Sequence, residues 1–168
     1  MNRIELSRLN QLKEIDFDWE GRSVLYIGAY EGRFHFKGFL QENNCIVDVL
    51  EIDYNACEYL RSLDWLNGVI EGNVLDISNL VSIKYHVVFW SHGPETVEKS
   101  YFEFLMKELN DIAKELVVVM VPWGNYPYSD NINHLYEKDF ERLGFETSVL
   151  GEKNKRNSNL LAWKFKEE

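Results

Sequence analysis

Short apolar runs alternate with longer amphipathic stretches through most of this chain, and the alternation stops before the end. The runs are "SVLYIGA" from Ser23, "CIVDVLEI" from Cys45, Val69–Glu71, "HVVFWS" from His86 and "LVVVMV" over Leu116–Val121. The longer ones are near-continuously apolar, as strands buried on both faces are. Between them apolar residues recur at helical spacing. Phe36, Phe39 and Leu40 mark a helix over Glu31–Leu40, and Tyr59, Leu60, Leu63 and Leu66 one over Asn55–Leu66. Tyr101, Leu105, Leu109 and Ile112 give the inner face of a helix within Glu95–Glu115, and another is expected over Asn131–Leu143 with Gly144 as its C-cap. "FETSVLG" and "NLLAWKFK" then follow with only a short polar loop between them, which predicts an antiparallel hairpin. Five strand–helix units closed by a hairpin predict an α/β fold, a mostly parallel sheet with helices on both faces. Residues 1–20 read as an amphipathic N-terminal helix packing on the sheet, with Ile4, Leu9, Leu12 and Ile15 near one face. No repeat or linker interrupts the pattern, so residues 1–168 are expected to form one domain.

Charge and cysteine usage narrow the function classes. The 168 residues carry a net charge of −10, which argues against sequence-independent binding to nucleic acid, since phosphate contacts need surplus Lys and Arg. The one dense basic run, "KNKRN" over Lys153–Asn157, falls where the hairpin tip is expected. No apolar run approaches the roughly 20 residues of a membrane span, and the N-terminus lacks the apolar core of a secretory signal. Cys45 and Cys57 have no C-x-x-C spacing and read as reduced, buried thiols of a cytoplasmic protein. The histidines His35, His86, His92 and His134 show no ligand spacing, so no metal site is expected.

The chemistry-bearing residues cluster where strands end. "GAYEG", Gly28–Gly32, is a glycine turn between the first strand and the next helix, where bare backbone and free N–H groups can approach a ligand. Glu51 ends the second strand, where an acid can accept both hydroxyls of a ribose; Asp53 is the rival acceptor or the N-cap of the next helix. Asn73 or Asp76, past the third strand, could accept from an adenine amino group, or serve only in a turn. "FWSHGPETV" leaves the fourth strand through His92 and Pro94; His92 is either a general base or a passive packing group. "VPWGNYPY" places Trp123, Tyr126 and Tyr128 beyond the fifth strand, more rings than a connector needs.

Together these segments resemble the class I S-adenosylmethionine-dependent methyltransferases over nearly the whole chain, from Ser23 to about Lys166. "VLYIGAYEG" is similar to the family's first motif, Glu51 to its second-strand acid, Gly72-Asn73 to its "GDa" turn, and "HVVFWSHGPETV" to its fourth-strand motif. Leu143, Gly144 and Phe145 resemble its lead into the final hairpin. The resemblance implies a Rossmann-like three-layer αβα sandwich, with a seven-stranded, mostly parallel sheet in the order 3-2-1-4-5-7-6 and an antiparallel last strand. It implies S-adenosylmethionine as cofactor, held by Gly28, Ala29, Tyr30, Gly32, Glu51, Ile52, Asn73, Val74 and Ser91. In that order strands four and five are neighbours, so the acceptor is expected beside their ends, against His92, Pro94, Trp123 and Tyr126, with His92 as the candidate catalytic base. The chain departs from the family at Tyr26 and His86, where acids are common, at Tyr30 in place of the central glycine, and at Asn73 in place of an acid. "NPPY"-type amide chemistry is absent after the fourth strand. With the acidic charge, that points to a small-molecule or protein/glycan acceptor, and the expected quaternary state is a monomer or homodimer. The alternative is a methyltransferase-like fold that binds or scaffolds without catalysis.

Overall fold

The structure, a computed structural model, describes residues 3–30, 34–125 and 131–167. Seven strands form one sheet: β1 Ser23–Ile27, β2 Ile46–Glu51, β3 Gly68–Glu71, β4 Tyr85–Ser91, β5 Ala113–Val121, β6 Glu146–Leu150 and β7 Asn159–Phe165. Their order is β3-β2-β1-β4-β5-β7-β6, with β1 to β5 mutually parallel and β7 antiparallel to both of its neighbours. This is the order the resemblance implied. Strand order reverses between β1 and β4, and in such sheets the crevice outside the strands' carboxyl ends receives ligands.

Both faces of the sheet are apolar because both are covered. Along β1, Val24 and Tyr26 enter one core and Leu25 and Ile27 the other, as the two-residue period requires. The first face is covered by Leu12, at the end of helix α1 (Arg3–Leu12), with Ile15, Trp19, Phe36 and Leu40. The second is covered by α5 (Lys99–Ile112) through Phe102, Leu105, Met106, Leu109 and Ile112, and by Phe140 of α6 (Glu137–Glu141). Each such aliphatic or aromatic side chain contributes roughly 1.5–3 kcal/mol on burial. Helix α1 is tied to the hairpin by polar contacts as well. Gln11 Nε2 donates to the Ser148 carbonyl (2.8 Å), and Asn159 Nδ2 donates to Gln11 Oε1 (2.7 Å). The basic run at Lys153–Asn157 lies in the exposed turn between β6 and β7.

Several helices are shorter than the periodicity suggests; the one expected within residues 1–20 is α1, which ends at Leu12. The one expected over Glu31–Leu40 forms as α2, Lys37–Glu42; residues 31–33 lie outside the described part. Phe34 and Phe36 both pack on sheet rings, Phe34 on Tyr26 (4.4 Å between centroids) and Phe36 on Phe89 (5.0 Å). Residues two apart on a helix cannot face one side, so this pair holds its segment out of the helix. The stretch over Glu95–Glu115 splits into a 3₁₀ turn, Pro94–Thr96, and α5, while Ala113 already pairs with Tyr85 in the sheet. Of Asn131–Leu143 only Glu137–Glu141 is helical, because the Ile132 and Asn133 N–H groups both donate to the Glu95 carbonyl instead. Tyr59 and Tyr101, taken from spacing as inward-facing, are 42 % and 46 % exposed, whereas Gly144 takes the left-handed conformation (φ 83°) expected of a C-cap. The second helix, α3 (Tyr54–Arg61), is shorter than its apolar spacing suggested.

Candidate functional site

A cleft of about 880 Å³ opens at the carboxyl edge of the sheet. Every parallel strand contributes to it from its end: Gly28 after β1, Glu51 of β2, Gly72 after β3, Ser91 of β4 and Pro122 after β5. Gly28 holds φ 80°, a conformation that favours glycine, and its N–H donates to the Leu50 carbonyl at 3.0 Å.

Glu51 is the most informative residue of the cleft. It is buried, 5 % exposed. Its Oε1 accepts from the backbone N–H groups of Ile52 (2.8 Å) and Asp53 (2.9 Å), which fixes the carboxylate's orientation. Its Oε2 is buried and meets no hydrogen-bond partner among the described residues. A carboxylate oxygen left in that state costs free energy unless something supplies a donor. Asp53, the rival acceptor, is occupied: its Oδ1 accepts from Ala56 N–H (2.8 Å) as the N-cap of α3. Asn73 Oδ1 likewise caps the 3₁₀ turn Val74–Asp76 by accepting from Leu75 N–H (3.0 Å), and Asn73 and Val74 both line the cleft.

Across β1 from Glu51, the segment after β4 is held stiffly. His92 has φ 54°, unusual for a bulky residue, and its N–H donates to the Met120 carbonyl at 2.8 Å. Gly93 leaves no room for a side chain, since a Cβ there would meet the Trp90 indole at 1.9 Å. His92 Nδ1 lies 3.6 Å from Glu95 Oε1, and the two side chains are 20 % and 7 % exposed. Ser91, His92, Gly93 and Glu95 all line the cleft. The Tyr26 hydroxyl is fully buried and meets no hydrogen-bond geometry with the described residues. Burial pushes that phenol well above its ordinary range, offset in part by the nearby Ser91 hydroxyl.

The cleft therefore brings together Gly28, Tyr30, Glu51, Ile52, Asn73, Val74, Ser91 and His92 from the set read in the sequence. Tyr30 stands at the rim, 49 % exposed, so its ring does not fill the turn. Three of the expected contacts are placed elsewhere. Ala29 is fully buried in the core on the opposite side from Ile27: residues two apart on a strand share a face, but β1 ends at Ile27 and the left-handed Gly28 (φ 80°) breaks the alternation before Ala29. Pro94 is buried as the first residue of its 3₁₀ turn and does not line the cleft. Trp123 is drawn away from it: its Nε1 donates to Glu137 Oε2 (2.8 Å), and Lys153 Nζ sits 5.5 Å from its ring centroid. Pro122 takes its place in the wall. Gly32, Tyr126 and Tyr128 lie outside the described residues. Arg8, His35 and Glu95 line the cleft without having been assigned a role from the sequence. Of these only Glu95 left a readable signal, a carboxylate three residues after His92 across a Gly-Pro turn.

A doubly wound sheet with its cleft at the strand-order reversal is the architecture of a nucleotide-type ligand site. Comparison with solved structures specifies the fold further. The chain is similar to the N-methyltransferase NodS of Bradyrhizobium japonicum in complex with S-adenosyl-L-homocysteine, at 15 % identity and TM-score 0.74, covering 99 % of this chain and 89 % of that one. It is similar to a methyltransferase of Pyrococcus furiosus at 20 % identity and TM-score 0.67, covering 96 % and 82 %. It also matches magnesium protoporphyrin IX methyltransferase of Synechocystis with bound S-adenosylmethionine, at 10 % identity and TM-score 0.66, covering 98 % and 78 %. The chain has the class I S-adenosylmethionine-dependent methyltransferase fold. No protein-family profile matches it, and no curated protein is similar to it in sequence.

Proposed function

We propose that this protein is a methyltransferase that uses S-adenosylmethionine, with the cofactor in the cleft over β1 and β2. The observation that carries the reading is Glu51: one oxygen is fastened by two backbone N–H groups, and the other is buried with no partner among the described residues. A ribose hydroxyl supplies the missing donor, in a charge-assisted bond worth roughly 1.5–3 kcal/mol. Gly28 lets the backbone come close to the methionine portion, and Asn73 and Val74 border the adenine. When bound, the cofactor supplies an already activated methyl group. The chain's own work is to orient the acceptor and exclude water, so proximity provides much of the rate. His92 and Glu95 face the acceptor's side and can move a proton from a hydroxyl or amine.

The acceptor is a small molecule or a protein or glycan group. Both cysteines are free and buried, which suits a reducing compartment, and we place the protein in the cytoplasm. A non-catalytic, cofactor-binding role is the second reading. It is supported by the departures of the first strand and glycine turn from the family's pattern, Tyr26 within β1 and Tyr30 at the cleft rim.

Isothermal calorimetry with S-adenosylhomocysteine tests the proposal. One-site binding at micromolar concentration is expected. No heat and no thermal shift at millimolar ligand would remove it.

A further inference from the structure

A second buried carboxylate of the cleft, Glu95, has a geometry that calls for a role. Among the described residues its Oε2 is buried without a hydrogen-bond partner, and the ionic partner it meets is His92, with Oε1 3.6 Å from Nδ1. Isolated buried carboxylates are costly, so chance is a poor account of this position. The backbone around it is fixed at several points. The Glu95 carbonyl accepts from Ile132 N–H and Asn133 N–H, both at 3.0 Å. Thr96 Oγ1 donates to the Gly93 carbonyl at 2.7 Å, and the Trp90 indole fills the space beside Gly93. His92 is held in its left-handed conformation by the bond to Met120. The turn thus delivers an imidazole and a carboxylate to each other on a rigid frame.

The geometry points to Glu95 as the positioning residue of a His92–Glu95 pair. Its carboxylate holds the proton of neutral His92 on Nδ1 and leaves the Nε2 lone pair, buried in the free protein, for the proton of a hydroxyl or amine that reaches it when the one-fifth-exposed ring turns toward the cleft. That the incoming group is a methyl acceptor rests on the proposed function; the pairing itself does not. In the proton step the acceptor's X–H bond breaks and its electrons stay on the heteroatom. The proton bonds to Nε2, the Nδ1 proton stays in place, and the carboxylate balances the charge of the imidazolium. His92 is the residue that touches the acceptor, and Glu95 acts through it. The 3.6 Å separation must shorten by about 0.5 Å to become a hydrogen bond, and catalytic contacts are commonly loose before the substrate binds.

The test needs neither acceptor nor cofactor. The full chain is labelled with nitrogen-15 at histidine, and long-range proton–nitrogen NMR spectra report which ring nitrogen of neutral His92 carries the proton; His92→Gln assigns the signals. The expected result is protonation at Nδ1. In Glu95→Leu, which removes the acceptor at similar volume, the ratio of Nδ1-protonated to Nε2-protonated ring should fall at least about tenfold. Glu95→Asp should restore part of it, which a merely structural role would not do. Protonation at Nε2 in the unaltered protein overturns the proposal, as does a ratio unmoved by Glu95→Leu. If Glu95→Leu does not fold, the unaltered protein's tautomer alone decides. Calorimetry with S-adenosylhomocysteine reads separately on the cofactor, so the two proposals fail independently.

Discussion

Replacing Glu51 with alanine isolates the contact on which cofactor binding turns. In the folded protein Oε1 is already satisfied by Ile52 and Asp53, so Oε2 is what remains for a ligand. One charge-assisted hydrogen bond to a ribose hydroxyl is worth roughly 1.5–3 kcal/mol, which is an affinity loss of about 10- to 150-fold. The substitution also frees two backbone N–H groups. The residue carrying one of them, Ile52, is 64 % exposed, so water can take over and the fold should survive. Calorimetry with S-adenosylhomocysteine measures the affinity, and thermal melting confirms the fold. Asp53→Ala is the control: it should cost about 0.5–2 kcal/mol of stability through the lost cap and leave the affinity within about twofold. Unchanged binding in Glu51→Ala would refute a ribose contact at Glu51, and loss of binding in Asp53→Ala alone would assign that contact to Asp53.

Gly93→Ala would put a methyl 1.9 Å from the Trp90 indole, so a stability loss of about 1–3 kcal/mol is expected, read as a lower melting temperature. Tyr26→Phe removes a fully buried hydroxyl whose approach to the Ser91 hydroxyl falls short of hydrogen-bond geometry, so stability should change by no more than about 1 kcal/mol; a larger loss on denaturant titration would show that the two hydroxyls are bonded. Burial pushes the Cys45 thiol up to about 11, and burial together with the Asp48 carboxylate pushes the Tyr85 phenol up further. Both groups hold their protons in the folded state at a pH where the unfolded chain releases them. Their contribution is therefore complete below about pH 9 and is lost as pH rises. Melting temperature should decline steadily from about pH 9 to 11, and a flat profile there would contradict the burial of these groups.

The sheet was legible because its signal is local. Runs such as "LVVVMV" and "HVVFWS" declare strands buried on both faces, and the absence of a helix between Gly151 and Asn159 declares the hairpin. Glu51 was legible for the same reason, as an acid at the end of an apolar run. What was hidden is what long-range packing decides. Phe34 and Phe36 carry helical-looking apolarity, yet ring packing against Tyr26 and Phe89 delays the helix to Lys37. Trp123 sits in sequence beside Pro122, but Glu137, 14 positions away, takes its indole and removes it from the cleft wall. Arg8 and His35 reach the cleft from the segments flanking β1, a convergence no spacing rule contains. Asp53 could be assigned to capping only once its bond to Ala56 N–H was visible.

Cofactor use by this protein requires a ribose in the cleft beside Glu51. A crystal structure of the protein with S-adenosylhomocysteine measures it directly. The expected result is a ribose hydroxyl within about 2.6–3.2 Å of Glu51 Oε2, with the adenine beside Asn73 and Val74 and the sulfur near Gly28. Clear ligand density with the ribose away from Glu51, or crystals grown at saturating ligand with none in the cleft, would contradict it.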